Sequence, residues 1–354
     1  MDNERRLVLL TGATGHVGFA VLVEALEAEY NVRVVLREIS KADSILSSEP
    51  VKNALSSTAA PELSFVEVPD MTVPGAFDSA MQSVTYVVHC ASPINRGKFR
   101  DFQTELIDPA VKGTTNILKA AHATPSVLRV VITSSNSAIV NHNILPAPGT
   151  CVSPSDRQPD YPLDVAMHDA DEAYSAAKTS ALNATDTFVS SANDLRFDVV
   201  SIMPTFVFGP KELAKSPGDI IDGSNVFGIG LVLIKQSWGS LRIEAVSCHI
   251  DDVAQAHVQA LNHDEDVQFP FKAGTHRSCL LASSFRPDEV RDIVEREFPK
   301  ESWQGEEAVF RGKGSYAWYH TDYDVSAAEK LLGRKLKGIV EQIRSSGLQV
   351  LRIA

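Results

Sequence analysis

One stretch constrains the fold of this chain more than any other: "LVLLTGATGHVGFAVLVEAL", residues 7–26. An apolar, β-rich run ends at Thr11, and a helix-length pattern begins near His16. Gly12, Gly15 and Gly18 fall directly between them. Only glycine allows a tight turn there, a close approach of backbone to a pyrophosphate, and close contact between helix and strand. The helix N-terminus behind such a loop offers free amides and a partial positive charge to an anion. A glycine triplet alone is weak evidence, but a triplet between strand and helix marks a dinucleotide-binding unit. Thr14, His16 and Val17 complete the loop, with His16 read as a solvent-side filler that contributes backbone.

Strand-like and helix-like stretches alternate through the first half of the chain. "RLVLLTG" (6–12), "VRVVLR" (32–37), "LSFVEV" (63–68), "VTYVVHCA" (84–91), "LRVVITSS" (128–135) and "FDVVSIMP" (197–204) are near-continuous in Val, Ile and Leu. Parallel strands buried on both faces have this composition. Residues 16–29, 73–82, 100–122 and 171–193 read as helices between them. The expected fold is therefore α/β, a Rossmann-type doubly wound parallel sheet with a smaller C-terminal substrate-binding lobe. The expected boundaries are 1–204 for the nucleotide domain, with 247–264 returning to it, and 205–246 plus 265–354 for the lobe. In "SCHIDDVAQAHVQAL" (247–261), Asp251 reads as a helix N-cap and His249 as structural. Residues 141–170 form a long connection containing Pro146, Pro148, Pro154, Pro159 and Pro162, and connections of that length are usually functional or mobile.

Composition narrows the partners. A formal net charge of −12 argues against nucleic acid or an anionic membrane surface. Cys90, Cys151, Cys248 and Cys279 show no metal-binding spacing and read as reduced, mostly buried thiols. Neither a signal segment nor a membrane span is evident, so a cytoplasmic setting is expected. No metal site is suggested.

Arg37 ends the second strand, where an NAD binder usually carries a carboxylate for the ribose 2′-hydroxyl. A cation there accommodates a 2′-phosphate, and Lys41 is close enough in sequence to join it. This favours NADPH/NADP+, although Glu38 is adjacent and a solvated strand-end charge is the plainer alternative. In "EAYSAAKTSAL" (172–182), Tyr174 and Lys178 share one helix face at i and i+4, with only small residues between them. The spacing alone fits a surface helix as well as a proton donor beside a tuning cation.

Taken together, "TGATGHVG", "VVLREISK", "VVHCASP", "GTTNILKAA", "VVITSS", "AYSAAKT", "IMPTFVFGP" and "HIDDVAQAHVQAL" resemble the extended short-chain dehydrogenases/reductases, in family order over nearly the whole chain. The nearest resemblance is to the dihydroflavonol reductase-like branch with the yeast and fungal aldehyde and ketone reductases. The resemblance implies Tyr174 as general acid, Lys178 as its partner, and Ser135 as the catalytic serine, with Ser134 and Ser137 as alternatives. It also implies adenine contacts at Asp70 and Met71, a cofactor-lining Ala91, and Pro204 beside the nicotinamide, followed by Thr205, Phe206 and Val207. Two departures stand out: Asp108 lies where the family often has Asn, and Asn136 follows the serine where the plant enzymes have Ala. Phe99, Asn136, Phe206, Phe227 and Trp238 could line an apolar substrate pocket, with core packing as the alternative for each.

The implied chemistry is physically coherent. Hydride transfer to a carbonyl builds negative charge on oxygen, which the Ser135 hydroxyl can stabilise while Tyr174 supplies the proton. A phenol titrates near 10 in water, and a neighbouring ammonium favours phenolate. The expected function is thus an NADPH-dependent carbonyl reductase acting on an aldehyde or ketone of a moderately apolar organic molecule, as monomer or homodimer. One competing reading is an NAD-dependent sugar-nucleotide epimerase/dehydratase, disfavoured because Met203-Pro204 lacks the Arg-Tyr start usual there and "SSNS" has no acidic pair. Another is a non-catalytic NADP-binding regulator, disfavoured because Ser, Tyr and Lys are all present.

Overall fold

The computed structural model describes residues 5–57, 59–93, 100–140, 149–162, 167, 169–233, 242–264, 267–312 and 315–354. Its strands in chain order are β1 (Leu7–Thr11), β2 (Asn31–Leu36), β3 (Leu63–Glu67), β4 (Tyr86–His89), β5 (Arg129–Thr133), β6 (Cys151–Val152), β7 (Asp198–Pro204), β8 (Phe206–Phe208), β9 (Arg242–Glu244), β10 (Val246–His249), β11 (His276–Leu281), β12 (Ser283–Ser284), β13 (Ala317–Tyr319) and β14 (Asp322–Tyr323). Six helices matter most: α1 (His16–Glu27), α2 (Asp108–His122), α3 (Ala170–Ser191), α4 (Ile250–Gln259), α5 (Glu289–Glu297) and α6 (Ile339–Ile353).

Seven strands form one parallel sheet in the order β11-β7-β5-β4-β1-β2-β3. Successive side chains of β1 point to opposite faces. Val8 and Leu10 join the core that includes Phe19 and Leu22 of α1 and Val253 of α4. Leu9 joins the opposite core with Ile117 and Leu118 of α2 and Val189 of α3. The chain reverses direction across the sheet between β1 and β4, and such a switch point opens a crevice at the carboxyl ends of both strands.

At the other end of the sheet, Arg129 and Asp198 form a bidentate pair at 2.7 Å per contact, with neither side chain exposed. Arg129 also donates to the carbonyls of Ala260, Asn262 and Phe269. Arg277 of β11 completes the charge cluster on Asp198. Three adjacent strands are thereby registered at the end remote from the crevice.

Several expectations need correction. Residues 73–82 make successive turns rather than a helix, because Pro74-Gly75 favours a turn, although Phe77, Ala80 and Met81 are still buried. Strand β3 lies at an edge and is only partly buried despite its apolar sequence. Strand β11, inside the segment 265–354 assigned to the smaller lobe, extends the main sheet instead. The N-cap of α4 is His249, whose Nδ1 accepts from the amide of Asp251, while Asp251 sits in the first turn and pairs with Lys337. Cys248 and Cys279 are buried, but Cys90 is half-buried just beyond β4 and Cys151 is exposed.

The remaining strands build the side of the molecule next to the crevice. β8, β10 and β12 form a small sheet, and β9 pairs with β13. These pack with α5 and α6 around Phe208, Phe285, Phe310, Tyr316 and Ile343. Strand β6, from the Pro-rich connection, pairs with β14 near the C-terminus. Among the described residues no helix is long and apolar enough to cross a membrane.

Candidate active site

The glycine loop sits at the carboxyl end of β1. Gly12 has φ +81°, and a Cβ there would lie 2.7 Å from the Ala91 nitrogen. A Cβ on Gly18 would lie 2.2 Å from the Gly12 carbonyl oxygen. Helix α1 starts at His16 behind an N-cap glycine, Gly15, that offers no side-chain cap, so its first amides keep their capacity for an anion. His16 is not a solvent-side filler: it is half-buried, and its Nε2 bonds the Pro210 carbonyl at 2.9 Å. Thr14 is exposed and Val17 partly buried. Thr11 Oγ1 accepts from the Ala91 amide at 3.0 Å and lies 2.9 Å from His89 Nδ1, which ties the ends of β1 and β4 together. Burial, then the nearby Lys178 charge, pushes the His89 imidazole down to about 3.

Arg37 and Lys41 are exposed just past β2. Asp70 is exposed after β3, and its carboxylate is held below its usual range by the Thr72 hydroxyl and amide, with a smaller effect from Arg37. Asn116 donates to the carbonyls of Met71 and Val73 at 3.0 and 3.1 Å and so fixes this segment against α2. Sequence reading missed that role because the partners lie more than forty residues apart. Asp108 is engaged locally, by Gln103 and Lys112.

Helix α3 is started by Asp169, whose side chain accepts from the amides of Asp171 and Glu172. Ala173, Ala176 and Ala177 are fully buried against Leu106, Ile107 and Ala110, which explains the run of small residues around the Tyr/Lys pair. Tyr174 is half-buried, with Lys178 Nζ 5.7 Å from its ring centroid. Lys178 Nζ donates to the Thr133 carbonyl at 3.3 Å, and Thr179 Oγ1 donates to the Ala138 carbonyl at 3.3 Å. The helix is thus pinned to the end of β5 on both sides of Ser135 in sequence. Ser135 caps a short turn over 136–138 and accepts from the Ser137 amide at 3.2 Å. Ser134 and Ser135 are both buried, and Ser137 is partly so.

Asn136 is buried and engaged from the C-terminal side of the molecule. Its Nδ2 donates to Tyr323 Oη at 3.2 Å and reaches Glu244 Oε2 at 3.4 Å, while Tyr323 donates to Glu244 Oε1 at 2.7 Å. The fold therefore brings a buried carboxylate, Glu244, next to the serine segment, which "SSNS" alone did not reveal. Burial, then the Glu244 charge, raises the Tyr319 phenol to about 12 and raises that of Tyr323 as well. Phe206 stacks on Phe227 at 4.7 Å between centroids, and Tyr316 packs edge-on to Phe227. Pro204 ends β7 with Thr205 and Val207 buried beside it. Phe99 and Trp238 lie outside the described residues.

The pattern of the NAD dependent epimerase/dehydratase family matches residues 8–270. The chain is 54% identical to the NAD-dependent epimerase/dehydratase FUM13 of Gibberella moniliformis, over 100% of this chain and 97% of that protein. It is 32% identical to the ketoreductase CTB6 of Cercospora nicotianae, over 84% of this chain and 82% of that one. Among solved structures, Gre2 from Candida albicans in its NADPH complex superposes with a TM-score of 0.78 at 24% identity, covering 98% of this chain and 99% of the other. The glycine loop, the sheet order and these matches agree: the chain belongs to the NAD dependent epimerase/dehydratase family, the extended short-chain dehydrogenases/reductases.

Proposed function

We propose that the protein is an NADPH-dependent carbonyl reductase that converts an aldehyde or ketone of a moderately apolar molecule to the alcohol. The observation that carries this reading is the pinning of α3 against the end of β5, which holds Tyr174 and Lys178 beside the Ser135 segment at the crevice. The residues present fit the cofactor. Gly12 and Gly18 leave no room for a Cβ against the backbone of Ala91 and of the loop itself, which keeps the turn and α1 tight behind the phosphate site, the α1 amides have no side-chain cap, and Arg37 and Lys41 stand exposed just past β2. When bound, NADPH supplies the hydride. Arg37 and Lys41 would hold its 2′-phosphate through charge-assisted hydrogen bonds.

At the reacting centre, Ser135 donates a hydrogen bond to the carbonyl oxygen and Tyr174 Oη delivers the proton. The Lys178 ammonium, 5.7 Å from the Tyr174 ring centroid, stabilises the negative charge left on the phenol oxygen. Phe206, Phe227 and Tyr316 form an apolar wall, and the segments 205–246 and 282–354 make up the lobe that shapes the pocket. The relatives carry both epimerase/dehydratase and ketoreductase names. Reduction is favoured here because Met203 is fully buried in an apolar cluster, where the sugar-nucleotide enzymes usually place an arginine. The test is NADPH consumption, followed by absorbance, against aryl ketones, keto esters and aldehydes. Turnover that is weak with NADH and lost in Tyr174→Phe supports the reading, and tight nucleotide binding with no consumption of NADPH by any carbonyl would overturn it.

A further inference from the structure

The buried side-chain amide of Asn136 has one orientation open to it. On one side it meets Glu244 and Tyr323. A carboxylate only accepts hydrogen bonds, and Tyr323 gives its single proton to Glu244 Oε1 at 2.7 Å. Both neighbours therefore present acceptors to Asn136. Its Nδ2 meets them with two protons, one for Tyr323 Oη at 3.2 Å and one for Glu244 Oε2 at 3.4 Å. The amide oxygen is left facing Ser135, whose hydroxyl donates to Asn136 Oδ1 at 3.3 Å. Ser135 Oγ in turn accepts from the Ser137 amide at 3.2 Å. Ser135 and Asn136 are each 6% exposed, so solvent has little access to this oxygen.

The Ser135 proton cannot serve two acceptors at once. In the reduction it turns to the carbonyl oxygen of the substrate, and Asn136 Oδ1 loses its donor. Among the described residues no other group donates to that oxygen. A buried acceptor left without a donor costs free energy. Turning the amide over gives no relief, because Oδ1 would then face the Glu244 carboxylate, acceptor against acceptor. The replacement donor has to come from the substrate. Oδ1 is 3.3 Å from Ser135 Oγ, and a carbonyl oxygen bonded to that Oγ lies about 2.7–2.8 Å from it. A donor on the carbon next to the carbonyl is then within reach of Oδ1. A purely structural role, tying the serine segment to β9 and β14, uses only the two Nδ2 protons and puts no demand on Oδ1.

We propose that Asn136, oriented by Glu244 and Tyr323, is a specificity-determining residue whose Oδ1 selects carbonyl substrates bearing an O–H or N–H donor on the carbon adjacent to the carbonyl. This rests on the catalytic reading given above, in which Ser135 donates to the carbonyl oxygen. Asn136 takes no part in hydride or proton transfer. Glu244 and Tyr323 touch no substrate; they are positioning residues that keep the amide oxygen turned toward Ser135. The donor is one polar group on an otherwise apolar molecule, whose remainder meets the wall of Phe206, Phe227 and Tyr316.

The experiment compares kcat/KM of the full chain with NADPH for α-hydroxyacetophenone, α-aminoacetophenone and propiophenone. These ketones share one shape and differ only in the hydroxyl, amino or methyl group beside the carbonyl. The proteins are the wild type, Asn136→Ala, Glu244→Gln and Tyr174→Phe. The wild type is expected to prefer one or both donor-bearing ketones over propiophenone by about tenfold to a hundredfold. In Asn136→Ala that preference should shrink by about tenfold, which cancels the intrinsic reactivities of the ketones from the comparison. Glu244→Gln offers Asn136 a donor as well as an acceptor, so the amide is free to turn. Its preference should shrink in the same direction, which carries the test if Asn136→Ala folds poorly. A structural role would slow all three ketones together and leave their ratios unchanged. Unchanged ratios in either folded variant, or a wild type with no preference for either donor, would overturn the inference and leave the reductase reading standing. Reduction confined to carbonyls without such a donor would do the same. No reduction of any carbonyl, or a fully active Tyr174→Phe, would overturn the catalytic reading and this inference with it.

Discussion

Tyr174 and Lys178 owe their position to their neighbours. The alanines let α3 lie close against α2, and bonds from the adjacent Lys178 and Thr179 to the carbonyls of Thr133 and Ala138 fix this turn of the helix against the end of β5 and the turn that follows it. Tyr174→Phe keeps that packing and removes only the hydroxyl. The expected outcome is a kcat lower by about 10²–10⁴ with unchanged NADPH binding, checked by turnover and by equilibrium titration. Arg37 is exposed, so its replacement should not disturb folding. Arg37→Ala should weaken NADPH by about tenfold to a hundredfold, since a hydrogen bond to a charged group contributes about 1.5–3 kcal/mol, and should leave NADH nearly unaffected. Comparison of the two dissociation constants checks this. The glycines and the Tyr/Lys pair are legible in the sequence because their requirements are local. Glu244 and Tyr323 are not, because they meet Asn136 from 108 and 187 residues away.

At the scale of elements, the β1–loop–α1 unit tolerates no added atoms at its tightest point. Gly18→Ala would set a Cβ 2.2 Å from the Gly12 carbonyl, so the helix or the loop must move. A loss of NADPH affinity of about tenfold or more is expected, with the fold retained by circular dichroism. The opposite end of the sheet depends on Asp198, which is fully buried beneath two arginines. Asp198→Ala strands the buried Arg129 charge, and urea unfolding should show a loss of about 3–5 kcal/mol. Alternation of strand-like and helix-like runs predicts the central strands well, because parallel strands covered on both faces must be apolar. It fails for residues 73–82, where helix length and apolar content resemble a helix but Pro74-Gly75 turns the chain. It also fails for β11, since nothing local in "HRSCLL" distinguishes a strand of the main sheet from one of the smaller lobe.

For the whole molecule, acid stability depends on histidines buried in neutral form. Burial holds the imidazoles of His89 and His257 down to about 3 and about 4, whereas an unfolded histidine titrates near 6.5. Between these values the unfolded chain binds more protons than the folded one, so stability is full above pH ~6.5 and falls as pH drops toward 4. The midpoint of urea unfolding should decrease across that range, and a midpoint that stays flat would show that these rings are not held neutral. The two sides of the crevice also depend on each other, because Tyr323 and Glu244 from the C-terminal half close over Asn136. Tyr323→Phe leaves the Glu244 carboxylate without its closest donor and should cost about 1–3 kcal/mol. Net reduction of a carbonyl at the expense of NADPH is tested by the stoichiometry of NADP+ formed to alcohol formed in a single sealed reaction. A ratio of one to one is expected. Product formation without net loss of NADPH would contradict it and point to chemistry in which the nucleotide is regenerated within each cycle.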